Sequence, residues 1–257
     1  VLLGEPERTQ ADLNFALFGF PVRVHPFFWL MALILAMNSR ETDDLTVVWV
    51  VALWVVALFL SILVHELGHA LVMRAYGFRP WITLYGMGGL ASYGQPQGFQ
   101  ARGHGPLQQI LISLAGPGAG FVLAGLMLVV VQLSGSNALA YLQAVLRLGG
   151  GPLRMVGSPH VTEFVFNILQ VSVFWGIVNL MPVYPLDGGQ IARELLLLSN
   201  PRDGIRQSLW LSIFTASGLA VVGFVQFGSF LMAIMFGYLA AMSYMALQSY
   251  GGQRRGW

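Results

Sequence analysis

Two histidines and a glutamate stand together in SILVHELGHALVMRAYGF, residues 61–78, at the end of an apolar run that begins near Thr46. His65 and His69 are four residues apart, so a helix puts both imidazoles on one face. There they can share one tetrahedral zinc at about 2.0–2.1 Å from each nitrogen. Glu66 is the next position round the helix. It can reach a water without being a ligand, which is the general-base role in an H-E-x-x-H sequence. The plain alternative is a juxtamembrane helix whose His65, Glu66 and His69 merely face water. The apolar flanks SILV and ALVM oppose it, because an uncompensated ionisable group inside a bilayer costs about 2.5–3.5 kcal/mol even on the lenient insertion scale.

Catalytic zinc normally has three protein ligands and one open position, so two histidines leave the site a ligand short. His25 lies in a strand-like entry segment and His104 in a glycine-rich loop. His160, with Glu163, starts a helix after Ser158-Pro159, where capping is a sufficient explanation. Asp187 stands apart, in VNLMPVYPLDGGQIARELLLL, where Pro182 and Pro185 break an apolar run and leave carbonyls free in the membrane region. Asp-Gly is common turn chemistry, and an aspartate here could also cap the following helix. With HELGH in the same chain, however, zinc would offset the desolvation of both Asp187 and a deprotonated Glu66. Asp187 is therefore preferred as third ligand.

Composition names the solvent in which these groups are held. The 257 residues are 56% hydrophobic and only 9% charged, with a mean hydropathy of +0.69, which places the chain in a membrane. Apolar runs at about 27–38, 46–76, 107–134, 160–181, 206–225 and 228–249 predict about six helices set against roughly 30 Å of hydrocarbon. The first run is short, and the second is long enough to span and continue into a partly buried segment. LNFALFGFPVRVHPFFW, residues 13–29, and WITLYGMGGLASYG, residues 81–94, read as strands, being β-branched and aromatic between glycines and prolines. Such strands must pair with each other, face protein, or line a wet cavity, because bare backbone is too costly in lipid.

All basic residues are arginines, and they fall mainly on one side of these helices. Arg8, Arg23, Arg74, Arg79, Arg102, Arg193, Arg202, Arg206, Arg254 and Arg255 share the side of the N-terminus, against Arg40, Arg147 and Arg154 on the other. The positive-inside rule then predicts both termini in the cytoplasm and the HELGH segment toward the cytoplasmic face. A net charge of +2 and a pI near 9.2 reflect this bias and give no case for a nucleic-acid partner. The chain has no cysteine, so any metal is held by nitrogen and oxygen. VLLGEPERTQ has no basic n-region leading into an apolar core and does not read as a secretory signal. With no polar tract or repeat, residues 1–257 read as a single membrane domain.

HELGH at 65–69 together with NLMPVYPLDGG at 179–189 resembles the site-2 protease family of intramembrane zinc metalloproteases. That family pairs HExxH with a later N-x-x-P-x-x-P-L-D-G-G block. FGFPVRVHP, the GMGG segment and SLAGPGAGF at 113–121 resemble further family features in the expected order. The resemblance implies a polytopic α-helical membrane protein with a small membrane-associated sheet. It also implies one Zn2+ per chain held by His65, His69 and Asp187, with Glu66 as general base. It departs at Gly120, where the family often has asparagine. Asn179 is left as the amide that could steady an oxyanion, against a plain helix-terminus hydrogen bond. No inserted PDZ domain or C-terminal CBS pair is evident, so a minimal core is expected.

The implied substrate is a single-pass or otherwise membrane-anchored protein, cut in or near its transmembrane segment in the manner of regulated intramembrane proteolysis, in a prokaryotic cell membrane. A helical substrate must be unwound before its carbonyls can be attacked. Tyr85, Gly86, Met87, Gly88 and Gly89 form an edge on which an extended peptide could dock, unless these glycines only tighten a connection. The loops at 94–106 and 183–190 are expected to be lips of a water-filled cavity. Two rivals remain. A site similar to that of the prenyl-protein endopeptidases would need Glu163 or Glu194 as third ligand. A zinc-binding membrane protein without catalysis would have no use for Glu66.

Overall fold

The computed structural model describes residues 6–37, 46–86, 88–93, 105–148, 153–226 and 228–254. His104, Met87 and most of the expected 94–106 lip lie outside the described residues. Two compact units are present, one within 1–101 and 115–176, the other within 102–114 and 177–257.

The first unit is built round a four-stranded sheet, β1 (Leu13–Leu17), β2 (Phe20–Val24), β3 (Pro80–Tyr85) and β4 (Gly88–Tyr93), in that spatial order. β1 and β2 form a hairpin with Leu17 opposite Phe20. Its two turn residues, Phe18 and Gly19, both have positive φ, at 50° and 82°, the requirement of a tight turn that matches the twist of its strands. Arg74 Nη1 donates to the Phe18 carbonyl (3.0 Å), and its guanidinium lies over the Phe20 ring. At the other end Arg23 bridges Asp12 (3.1 Å) and the Pro6 carbonyl (2.8 Å). The Thr9 hydroxyl, with help from Arg23, holds the Asp12 carboxyl below its usual value.

β2 then pairs in parallel with β3, Val22 opposite Ile82 and Val24 opposite Leu84, and β3 pairs antiparallel with β4. The two strand-like segments therefore satisfy each other's backbone, as lipid demands. Phe20, Val22, Val24, Ile82 and Leu84 are buried in one core with Phe28 and Ala32 of helix α1 (Pro26–Met37) and Leu58, Ile62, Leu63, Leu67 and Ala70 of helix α2 (Thr46–Ala75). The sheet is thus a platform against which the HELGH helix is packed.

Among the described residues five helices are long and apolar enough to cross a membrane: α2, α3 (Pro106–Leu133), α5 (Pro159–Asn179), α7 (Gly204–Val225) and α8 (Phe230–Arg254). The protein is an integral membrane protein. The expected first span corrects to a shorter element, since the 12 residues of α1 reach only about 18 Å at 1.5 Å per residue. α2, with 30 residues, is about 45 Å long, so His65 lies well along it and the last turns outrun the hydrocarbon. The remaining helices are α4 (Ala138–Val145), whose N-cap Asn137 accepts from Leu139 and Ala140 N–H, and the amphipathic α6 (Asp187–Ser199).

Candidate metal centre

The positions of His65 and His69 one turn apart on α2 bring their Nε2 atoms to 3.2 Å, with the rings nearly perpendicular at 78°. Two nitrogens bound tetrahedrally to one zinc at 2.0–2.1 Å stand about 3.3–3.4 Å apart, so the pair fits that ion without rearrangement. His65, Glu66 and His69 are 3%, 4% and 6% exposed, which overturns the reading in which they merely face water. Ser61, one turn before His65, accepts a hydrogen bond from Ser172 of α5 at 3.2 Å, fixing the helix beside the site.

Glycines make the surroundings of the pair possible. A Cβ on Gly116 of α3 would collide with His69 Nε2 and stand 2.7 Å from His65 Nε2. Any side chain at 116 would fill the space a shared metal needs. One helix away, Gly68 of HELGH packs on the Ala115 carbonyl, and its own Cβ would come within 2.8 Å of the Ala119 methyl. Small residues on both helices let the backbones approach, as membrane helix pairs often require. Reading the sequence missed the role of Gly116. The available signal was its place in SLAGPGAGF. Gly120 lies 3.5 Å, measured from an added Cβ, from the Ser172 carbonyl, so a methyl there has ordinary contact room.

The glycines of the expected docking segment are occupied by protein on their open sides. An added Cβ would meet Phe27 at Gly86, Trp175 at Gly88, and the Glu66 side chain at Gly89, the carboxyl carbon being 2.6 Å away. What the strand lacks is a second strand partner. β4 ends the sheet order and has a strand neighbour on one side only among the described residues. The candidate base therefore lies directly against an edge strand.

In the second unit, α5 ends at Asn179 and α6 begins at Asp187. Tyr184, in the segment between them, is released from helical pairing, and side chains satisfy its backbone. Its N–H donates to Ser212 Oγ (3.0 Å) of α7, and Ser243 Oγ of α8 donates to its carbonyl (3.3 Å). Gly188 and Gly189 have backbone against them, Leu180 with Met181 and Val183 with Tyr184 respectively. Only glycine lets the first turn of α6 tuck under that segment. Val183 anchors it in a core with Ala216, Phe236 and Leu239. Asp187 is the first residue of α6, half-buried; the N-cap is Leu186 and no side-chain cap bond forms. Asp187 itself therefore does not occupy the N-cap position.

The other candidates have local uses. His25 Nδ1 accepts from the Phe27 N–H at the start of α1 (3.2 Å). His160 is exposed at the start of α5, where the Ser158 hydroxyl accepts from Val161 N–H (3.4 Å).

Long apolar spans with a buried HExxH pair define a membrane protein built round a metal centre. Residues 53–221 match Peptidase family M50, and the chain belongs to that family. It is 27% identical over 184 residues to a zinc metalloprotease of Methanocaldococcus jannaschii, covering 71% of this chain and 44% of the relative. It is 28% identical over 233 residues to a Synechocystis protein provisionally named a zinc metalloprotease, covering 84% and 54%. The chain thus spans about half the length of the curated relatives it matches. Its fold is similar to that of the solved site-2 protease from Methanocaldococcus jannaschii, with a TM-score of 0.56 at 20% identity over 92% of this chain and 95% of that one. Membership of M50 sets aside the prenyl-protein type of site.

Proposed function

We propose that the chain is a zinc endopeptidase that hydrolyses peptide bonds in or near the transmembrane segments of membrane-anchored proteins, as in regulated intramembrane proteolysis. The observation that carries this reading is the placing of Glu66 between a buried histidine pair of zinc-binding separation and the edge strand β4. A site for mere metal storage needs neither the carboxylate nor the edge.

His65, His69 and Asp187 would hold the metal. Bound zinc supplies Lewis acidity to the scissile carbonyl and to water. Glu66 removes a proton from the attacking water as its oxygen bonds to the carbonyl carbon. It returns that proton to the amide nitrogen as the C–N bond breaks, so no net proton is consumed. Asn179 donates to the developing oxyanion. The substrate, unwound from its helix, pairs its backbone with the free edge of β4 beside Tyr85, Gly86, Gly88 and Gly89, the protein behind the glycines keeping that strand in place. The arginine distribution supports a site facing the cytoplasm, with both termini on that side.

Comparison of membranes containing wild-type protein or Glu66→Ala tests the reading. A single-pass protein should accumulate uncut with the variant. Identical membrane proteomes in a host where the protein is expressed and zinc-loaded would count against proteolysis and favour a zinc-binding role.

A further inference from the structure

A cavity of about 360 Å³ lies in the second unit, beside the segment that carries Asp187. We propose that it binds the phosphate head of an anionic phospholipid, with the start of an acyl chain on its apolar wall. Arg193 of α6 and Tyr184 line the polar side, Ile205 and Leu209 of α7 the apolar side, and Tyr250 of α8 the rim.

The level of the cavity in the bilayer follows from the helices around it. Ile205 and Leu209 lie in the first turns of the span Gly204–Val225, and Tyr250 closes the span Phe230–Tyr250. The cavity sits where both helices leave the hydrocarbon, level with lipid headgroups. Tyrosines at that level keep the ring in apolar surroundings and the hydroxyl in polar ones.

Arg193 supplies the recognition. Its side chain is 48% exposed, and its Nε stands 4.0 Å from Glu194 Oε1, an ion pair at its outer limit and too long for a hydrogen bond. Among the described residues its guanidinium donates to nothing, so its fork is available for two oxygens of one phosphate. The Ser208 and Ser249 hydroxyls are already committed to the Ile205 (2.8 Å) and Met245 (3.0 Å) carbonyls, which leaves Arg193 as the charged donor. Arg202 and Arg206, both exposed at the start of α7, outweigh Asp203 between them and add an attractive field. Inorganic phosphate would gain nothing from Ile205 and Leu209, whereas a phospholipid uses both walls. Tyr184 and Gly189 flank Asp187 and also line the cavity, so a bound head group braces the segment that presents this aspartate.

The test uses zinc-loaded protein in neutral detergent, titrated with phosphatidylglycerol, phosphatidylcholine or inorganic phosphate, with binding read by native mass spectrometry and by thermal melting. Phosphatidylglycerol should bind most tightly and raise the melting temperature. Arg193→Gln should weaken it about tenfold, and Arg206→Gln by less than about twofold. Unchanged binding to Arg193→Gln overturns the site, and an equal loss in Arg206→Gln overturns it in favour of diffuse attraction. Inorganic phosphate or phosphatidylcholine binding as tightly as phosphatidylglycerol overturns the anionic-lipid assignment. If Arg193→Gln does not fold, Leu209→Trp, which fills the apolar wall, should weaken phosphatidylglycerol alone, and unchanged binding there overturns the proposal equally.

Discussion

Replacing Gly116 by alanine adds one methyl group and alters no ionisable residue. The methyl would collide with His69 Nε2 and stand 2.7 Å from His65 Nε2, where ordinary contact begins at 3.4 Å. Relief at His65 alone asks for a shift of about 0.7 Å, several times the roughly 0.2 Å that metal–ligand distances tolerate. α3 can withdraw only by giving up the packing of Gly68 on Ala115 and Ala119. Misplacements of this size cost on the order of 100-fold in metal affinity or rate, so Gly116→Ala should lower zinc affinity at least about that much. The fold should survive, because alanine is the better helix former by about 1 kcal/mol. Gly118→Ala is the matched control, since nothing lies within 4 Å of its added Cβ. The assay is zinc per chain after equilibration with a competing chelator, alongside thermal melting. Wild-type zinc affinity in Gly116→Ala would refute the steric reasoning, and so would an equal loss in Gly118→Ala.

Asp187→Ala should lower bound zinc sharply, whereas His160→Ala, at an exposed helix start, should not; elemental analysis of the purified variants decides. Ser212→Ala should destabilise the protein by about 1–3 kcal/mol, because it leaves the Tyr184 N–H without its side-chain partner, and Ser243→Ala by less, since that hydroxyl also donates to the Leu239 carbonyl at 2.9 Å; denaturation in detergent measures both. A proline scan of a substrate segment should raise cleavage where proline only breaks helix and abolish it where the N–H must pair with β4. Uniform stimulation across the scan would rule out strand docking.

Much of this architecture is legible in sequence because a bilayer imposes it. The apolar run 107–134 is realised as Pro106–Leu133 and 206–225 as Gly204–Val225. The pair His65 and His69 is legible because a one-turn spacing on a helix leaves little freedom. The run 27–38, short already in the sequence, is realised as the 12-residue α1, apolar but below spanning length. α4 escaped notice although Asn137 caps it, being short and set between stronger signals. The parallel pairing of β2 with β3 joins segments separated by α1 and α2, a contact no local pattern encodes. Gly116 stayed silent for the same reason: its role exists only once α3 lies against α2.

Glu66→Gln bears most directly on the central claim, since it keeps side-chain size and removes only the base. Purified variant and wild type would be compared for zinc content and for cleavage of a membrane-embedded peptide in detergent. The account predicts equal zinc, with cleavage present in the wild type and lost in the variant. Cleavage undiminished in Glu66→Gln, with zinc bound as in wild type, would contradict it.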